Sequence, residues 1–203
     1  MIFNNYYSNT ILGSGNNNLL ILSDSTSHCG IMLVKPQLYG RQRYTFAYSN
    51  TVDSTFDSGS TAYANLSGES WTIEALSAAD AGEKDLYDVD FEGAKLISDF
   101  SIENLFRLDG FKEILFNGEN KKRIAPDEII FSDSTEIEIL PGHLLALKIT
   151  FSGHKIPYTS DKIVPCFTYN KGEYKCSRDF PQPVFFGVEG KERRTRIAFL
   201  GDS

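Results

Sequence analysis

The chain has few of the residues that carry metal and redox chemistry: its 203 residues hold three cysteines and three histidines. Cys29, Cys166 and Cys176 form an odd set without metal-ligand spacing, so neither a metal nor any other cofactor is expected. They read as reduced thiols of a cytoplasmic protein, although Cys166 and Cys176 could face each other across a hairpin, which leaves one disulfide open. No apolar run approaches the length of a membrane span. Met1-Ile2-Phe3-Asn4-Asn5 has no basic stretch leading into an apolar core, so no secretory signal is read there. Without a secretory route the Asn65-Leu66-Ser67 sequon carries no glycosylation. Positive charge is also scarce: 20 Lys and Arg stand against 27 Asp and Glu, a net charge of −7. Phosphate backbones need a basic field, so the expectation is no nucleic acid and no membrane as partner. The basic cluster from Lys191 to Arg196, with Arg193 and Arg194, reads as a solvated linker rather than an anion site.

What is abundant is aromatic: 15 Phe and ten Tyr favour strands, and 16 Gly and seven Pro punctuate the chain. Short apolar runs occur at Leu19 to Leu22 and Ile31 to Val34. Tyr44, Phe46 and Tyr48 alternate with Thr45 and Ala47, the pattern of a half-buried strand. Trp71, Ile73 and Ala75 alternate with Thr72 and Glu74. Lys95 to Phe100 reads as a further strand. Ile114 to Phe116 runs into Asn117-Gly118, a hairpin signal. Ile137 and Ile139 alternate with Glu136 and Glu138, and Pro141-Gly142 predicts a turn with positive φ at the glycine. Leu145, Leu147, Ile149 and Phe151 share one face of the next strand. Val164 to Tyr169, Glu173 to Cys176 and Val184 to Val188 follow. Only Ser101 to Leu108 looks helical, with Ser101 as N-cap. The fold class is therefore all-β: an antiparallel, jelly-roll-like β-sandwich over residues 1–190. Gly187 to Thr195, polar and charged, reads as a domain boundary.

The final residues differ in kind. Arg196-Ile197-Ala198-Phe199-Leu200 is an apolar run that stops at Gly201-Asp202-Ser203. Such a run suits a strand buried on both faces, and a serine after the following turn sits where open α/β sheets place active sites. Together with Tyr44 to Asn50 ending in Ser-Asn, Lys112 to Gly118 with its Phe-Asn-Gly hairpin, Arg123-Ile124-Ala125-Pro126, Phe131-Ser132-Asp133 and Ile137 to Ile149 with its Pro-Gly turn, the order resembles the β-sandwich module that precedes the catalytic domain of bacterial SGNH/GDSL-type hydrolases. The resemblance covers roughly residues 28–203. It implies that Ser203 is the nucleophile of a parent lipase, acylhydrolase or carbohydrate esterase. It also implies that residues 191–203 are the linker, first strand and nucleophile turn of an α/β catalytic domain whose remainder would follow. The triad Asp and His would lie there, so this chain by itself is expected to be catalytically silent toward an ester or acylated carbohydrate.

Other residues suggest other chemistry. His143 and His154 read as surface turn residues. His28 and Cys29 are neighbours, which a strand would point to opposite faces. A sandwich face can also bind sugar rings by stacking, and Trp71, Tyr44, Tyr48, Tyr158, Tyr169 and Tyr174 are available for it, although alternating aromatics more often fill a core. Tyr158 follows a proline and reads as the best exposed ligand-binding candidate. Asp53, Asp57, Asp85, Asp88 and Asp90 lack the spacing of a calcium loop and read as turn formers. Two alternatives to the hydrolase module thus stand: a stand-alone carbohydrate-binding sandwich and a structural packing domain. Arg196 to Leu200, an apolar strand without parallel neighbours in this chain, is expected to add to a sheet edge, with a dimer as one outcome.

Overall fold

Alternating side chains give this chain strands with two usable faces, and the computed structural model describes them over residues 6–8, 16–23, 26–52, 66–83, 101–159 and 164–190. In chain order the first strands are β1 (Tyr6–Ser8), β2 (Asn18–Ile21), β3 (His28–Val34), β4 (Gly40–Ser49), β5 (Thr51–Val52), β6 (Leu66–Ser67) and β7 (Trp71–Glu83). The short helix α1 (Ile102–Phe106) follows, then β8 (Lys112–Glu113), β9 (Lys122–Ile124), β10 (Ile129–Phe131) and β11 (Thr135–Ile139). The last are β12 (His143–Ser152), β13 (Lys155–Tyr158), β14 (Cys166–Asn170), β15 (Glu173–Cys176) and β16 (Phe185–Glu189). The expected strand at Lys95 to Phe100 and the final strand at Arg196 to Leu200 lie outside the described residues.

Every pairing between these strands is antiparallel. A five-stranded sheet is centred on β4, with β16 and then β1 on one side and β10 and β11 sharing the other. A seven-stranded sheet runs β15-β14-β3-β12-β7-β8, with β9 also on β7. β13 pairs with β2, and β5 with β6, in two small sheets. The two large sheets pack face to face. Tyr44, Phe46 and Tyr48 of β4 and Phe186 of β16 meet Trp71, Ile73, Leu145, Leu147, Ile149 and Phe151 in one buried cluster. Burying a side chain of this size contributes roughly 1.5–3 kcal/mol. The antiparallel sandwich expected from the sequence is the architecture found.

The period-2 pattern holds along β12, whose Leu145, Leu147, Ile149 and Phe151 all point into that cluster. It breaks in β7. Thr150 pairs with Ala75 but Phe151 pairs with Ile73, so Glu74 is the extra residue of a bulge. A bulge shifts the side-chain phase by one. Trp71 and Ile73 face inward as expected, but after the bulge Leu76 and Ala78, not Ala75, continue the buried row. β4 also departs from the half-buried pattern, because Thr45, Ala47 and Ser49 are buried as well as the aromatics between them. Phe185 shelters this second face, its ring lying where a side chain on Gly187 would project.

Turn chemistry matches the sequence closely. Phe116 and Glu119 exchange backbone hydrogen bonds of 2.7 and 3.2 Å around Asn117 and Gly118, both at positive φ (53° and 81°). That is the primed two-residue hairpin, which Asn-Gly accommodates at least strain. Gly142, at φ 85°, lies in the turn closed by the His143 N–H donating to the Leu140 carbonyl at 3.0 Å. Gly30 serves packing instead: a Cβ there would lie 2.3 Å from the Phe180 ring, so only glycine lets that ring rest on the sheet.

The outer face of the seven-stranded sheet carries a smaller core. Ile31, Leu33, Leu144, Ala146 and Phe167 are covered by Leu105 of α1, with Ile102, Phe106, Leu108 and Phe111 packed around them. Ser101 caps the helix as expected, its hydroxyl accepting from the Asn104 N–H at 3.4 Å. Cys166 belongs to the inner cluster and Cys176 to the outer one. Their hairpin sets Cys176 opposite Phe167, one residue off the pairing a disulfide would need, and all three cysteines are free.

Candidate functional site

The candidates read from the sequence scatter widely. Ser203, the linker at Lys191 to Arg196 and Asp53, Asp57, Asp85, Asp88 and Asp90 lie outside the described residues. Trp71, Tyr44 and Tyr48 are core residues, each no more than 2% exposed. Tyr158 is half-buried and belongs to β13 rather than a loop, because Pro157 sits inside the strand opposite Leu19. His28 is buried against Phe151 with ring centroids 5.8 Å apart, while Cys29 faces the other side of β3. His154 is exposed, 3.5 Å from Glu69. His143 differs from the surface residue expected. It is half-buried, and its Nδ1 lies 2.7 Å from Asp80 Oδ1. The Asp80 carboxylate also accepts the N–H groups of Gly82 (2.7 Å) and Leu140 (2.9 Å). This pair ties the Pro141-Gly142 turn to the end of β7, and among the described residues no serine hydroxyl hydrogen-bonds to His143.

Three of the segments from which the SGNH/GDSL resemblance is read converge. The Phe46 N–H donates to Ser132 Oγ at 3.0 Å, and the Ser132 N–H donates to the Phe46 carbonyl at 2.8 Å. The Asp133 carboxylate takes the N–H groups of Asn117 (3.0 Å) and Gly118 (2.7 Å), holding the hairpin. Asn50, fully buried, donates its amide to the carbonyls of Ala125 (2.8 Å), Glu69 (2.9 Å) and Ile124 (3.4 Å). Its own N–H donates to the Glu128 carbonyl at 2.9 Å. A single side chain therefore fastens two loops to the end of β4. Asn50 Oδ1, Tyr48 Oη and Trp71 Nε1 are buried without a partner near the same end. Burial pushes the Tyr48 phenol and the Cys166 thiol far up from their ordinary values, so neither ionises near neutrality.

A more open surface exists on the outer face of the seven-stranded sheet, beyond the cover of α1. Register places Tyr174, Tyr169, Cys29, Thr150 and Ala75 in one row across β15, β14, β3, β12 and β7. Tyr169 is exposed and the rest are half-buried. The Tyr169 and Tyr174 rings lie 4.6 Å apart at 33°, with Phe106 tilted against both. In the next row Ser152 pairs with Thr72, and Thr72 with Arg123. Ser152 Oγ donates to Glu74 Oε1 at 2.7 Å, and Lys121 Nζ lies 2.7 Å from Glu74 Oε2. Hydrogen bonds from Lys121 and Ser152 hold the Glu74 carboxyl below its ordinary value. Burial pushes the Cys29 thiol up, opposed by a contact with Thr150. Lys148, also on this face, donates to the Phe106 carbonyl at 3.3 Å and lies 3.7 Å from the Phe111 ring centre. Burial lowers its ammonium pKa.

The bulge at Glu74 brings that carboxylate to Ser152, a juxtaposition no sequence spacing announces. The row itself had a signal: if Leu145, Leu147, Ile149 and Phe151 face inward, Lys148, Thr150 and Ser152 face outward together. Among the described residues no group of three or more His, Cys, Asp or Glu side chains could hold a metal ion, and no helix is long and apolar enough to cross a membrane. No protein-family model and no curated protein sequence matches this chain, which leaves its own residues to carry any functional reading.

Proposed function

We propose that this chain is the β-sandwich accessory module of a GDSL-type serine ester hydrolase that acts on an acylated carbohydrate. Ser203 would be the nucleophile, attacking the ester carbonyl to give an acyl-enzyme that water then hydrolyses. A serine hydroxyl needs a positioned base and oxyanion donors. The His143–Asp80 pair ties β7 to the Pro141-Gly142 turn, and among the described residues no serine hydroxyl reaches it. The base and its carboxylate would therefore come from sequence following Ser203. The observation that carries the reading is the joining of the Tyr44–Asn50, Phe116–Gly118 and Phe131–Asp133 segments into one hydrogen-bonded unit. The three segments from which the resemblance is read share a structural task in this sandwich.

The test has two arms. The 203-residue chain should hydrolyse p-nitrophenyl acetate no faster than its Ser203→Ala variant. Serine-dependent turnover, or labelling of Ser203 by a fluorophosphonate, would mean that a complete triad exists within these residues and would overturn the accessory role. Reading the gene past the Ser203 codon should reveal alternating strand and helix patterns with a late Asp and His. A frame without them would remove the hydrolase.

The row of Tyr174, Tyr169 and Thr150 favours a second reading, a carbohydrate-binding sandwich, because it offers aromatic faces beside hydroxyl groups on an open sheet.

A further inference from the structure

We propose that the open part of the seven-stranded sheet's outer face binds a neutral glycan chain laid across the strands, with one sugar ring on Tyr169. This rests on the reading of an acylated carbohydrate as substrate and names the part of it that the sandwich holds.

The chemistry of the face selects the ligand. Among the described large apolar and aromatic side chains, Tyr169 is one of the few that is exposed, at 37%. Tyr174 and Phe106 pack against it, with ring centroids 4.6 and 6.1 Å away, which restrains its ring. A braced ring offers a flat apolar surface with a polar rim, which suits the C–H face of a pyranose. From there the row passes over Cys29 to Thr150, and the neighbouring row adds Ser152 and Thr72. From Tyr174 to Ala75 the row crosses five strands, about 19 Å at the ordinary strand spacing. That is room for several sugar rings in line. Hydroxyls spaced along it match a ligand whose own polar groups are hydroxyls.

Charge points the same way. Lys121 compensates Glu74, and Lys148 is occupied by the Phe106 carbonyl and the Phe111 ring. The centre of the strip therefore presents neither a basic field for phosphate nor an acidic one for a cationic peptide. Arg123, at its far edge, is a multiple donor that sugar oxygens can accept from. An apolar partner protein would find the row interrupted by hydroxyls and an ion pair.

Calorimetry with xylohexaose, cellohexaose, mannohexaose and chitohexaose at millimolar concentration tests this on the full chain. At least one should bind, and Tyr169→Ala should weaken it roughly tenfold, as loss of one stacking contact requires. Tyr169→Phe should retain binding, and Tyr158→Ala, in a different sheet, should leave it unchanged. Thr150→Ala tests the hydroxyl row should Tyr169→Ala fail to fold, and should weaken the same glycan. No heat with any of the four, or binding indifferent to both Tyr169→Ala and Thr150→Ala, overturns the proposal. Self-association lost in Tyr169→Ala would give the face to a second copy of the chain and overturn it as well. None of these outcomes touches Ser203, so the glycan site can fail while the hydrolase reading stands.

Discussion

Thr150 and Phe151 are neighbours in β12, yet Phe151 is sealed in the core at 1% exposed while Thr150 stands half-buried in an open row. The whole seven-stranded sheet repeats that contrast. Its inner face is closed by the five-stranded sheet together with Phe180 and Ile156, with Trp71, Ile73 and Leu147 all buried. Among the described residues, its outer face is closed where α1 and the Phe106 to Phe111 segment reach it. The same strands supply both faces, so what differs is the covering layer. A large sheet makes a core, and one turn of helix makes half of one. The remainder is left for polar side chains, and function can be placed there without disturbing the core.

The contrast can be broken at β12. Phe151→Ala should destabilise the fold by about 3–5 kcal/mol, because it removes a buried ring and leaves a cavity in the core. Thr150→Ala, one residue away, should cost under about 1 kcal/mol, as a partly exposed side chain does. Chemical denaturation measures both, and equal losses would erase the distinction between the faces.

Asn50→Asp should destabilise by roughly 3 kcal/mol at neutral pH. It would exchange an amide donor for a carboxylate facing the carbonyls of Glu69, Ile124 and Ala125. A variant as stable as the parent would show that the amide is not what fastens these loops. Tyr174→Ala should cost about 1 kcal/mol, the worth of a cross-strand aromatic pair at a sheet edge. A loss as large as that of Phe151→Ala would place the Tyr169–Tyr174 pair among the core residues.

The smallest effect is electrostatic. Glu74 has a depressed folded pKa, so the stabilisation it gives is fully present above its ordinary value of 4.5. It is lost as pH falls through the lower folded value. Lys121 is exposed and Glu74 half-buried, so solvent screening limits the pair to less than about 1 kcal/mol. Comparing Glu74→Gln with the parent at pH 7 and pH 3 should show a difference at pH 7 that shrinks at pH 3. A constant difference would assign the effect to packing.

Much of the fold was legible because local rules agreed with it. The Asn117-Gly118 hairpin, the Pro141-Gly142 turn, the Ser101 cap and the inward row of β12 each follow from a few adjacent residues. The site was less legible. Tyr158 looked exposed because a proline precedes it, but Pro157 pairs within β13. His143 looked like a turn residue because its partner Asp80 lies 63 positions away in sequence. Tyr169 and Tyr174 could be named but not distinguished from Tyr44 and Tyr48, since all four sit on strands with alternating neighbours.

The amino-acid sequence by itself determined the all-β class, the Asn117-Gly118 and Pro141-Gly142 turns and the inward row of β12, because side-chain period and turn geometry act over a few residues. Only the tertiary structure decided which face would be covered. It also decided where the bulge at Glu74 would shift the phase of β7, and which aromatics would stay in contact with solvent. Those outcomes depend on which strands become neighbours, and register between distant strands is set by the packing of the whole sandwich rather than by any one of its segments.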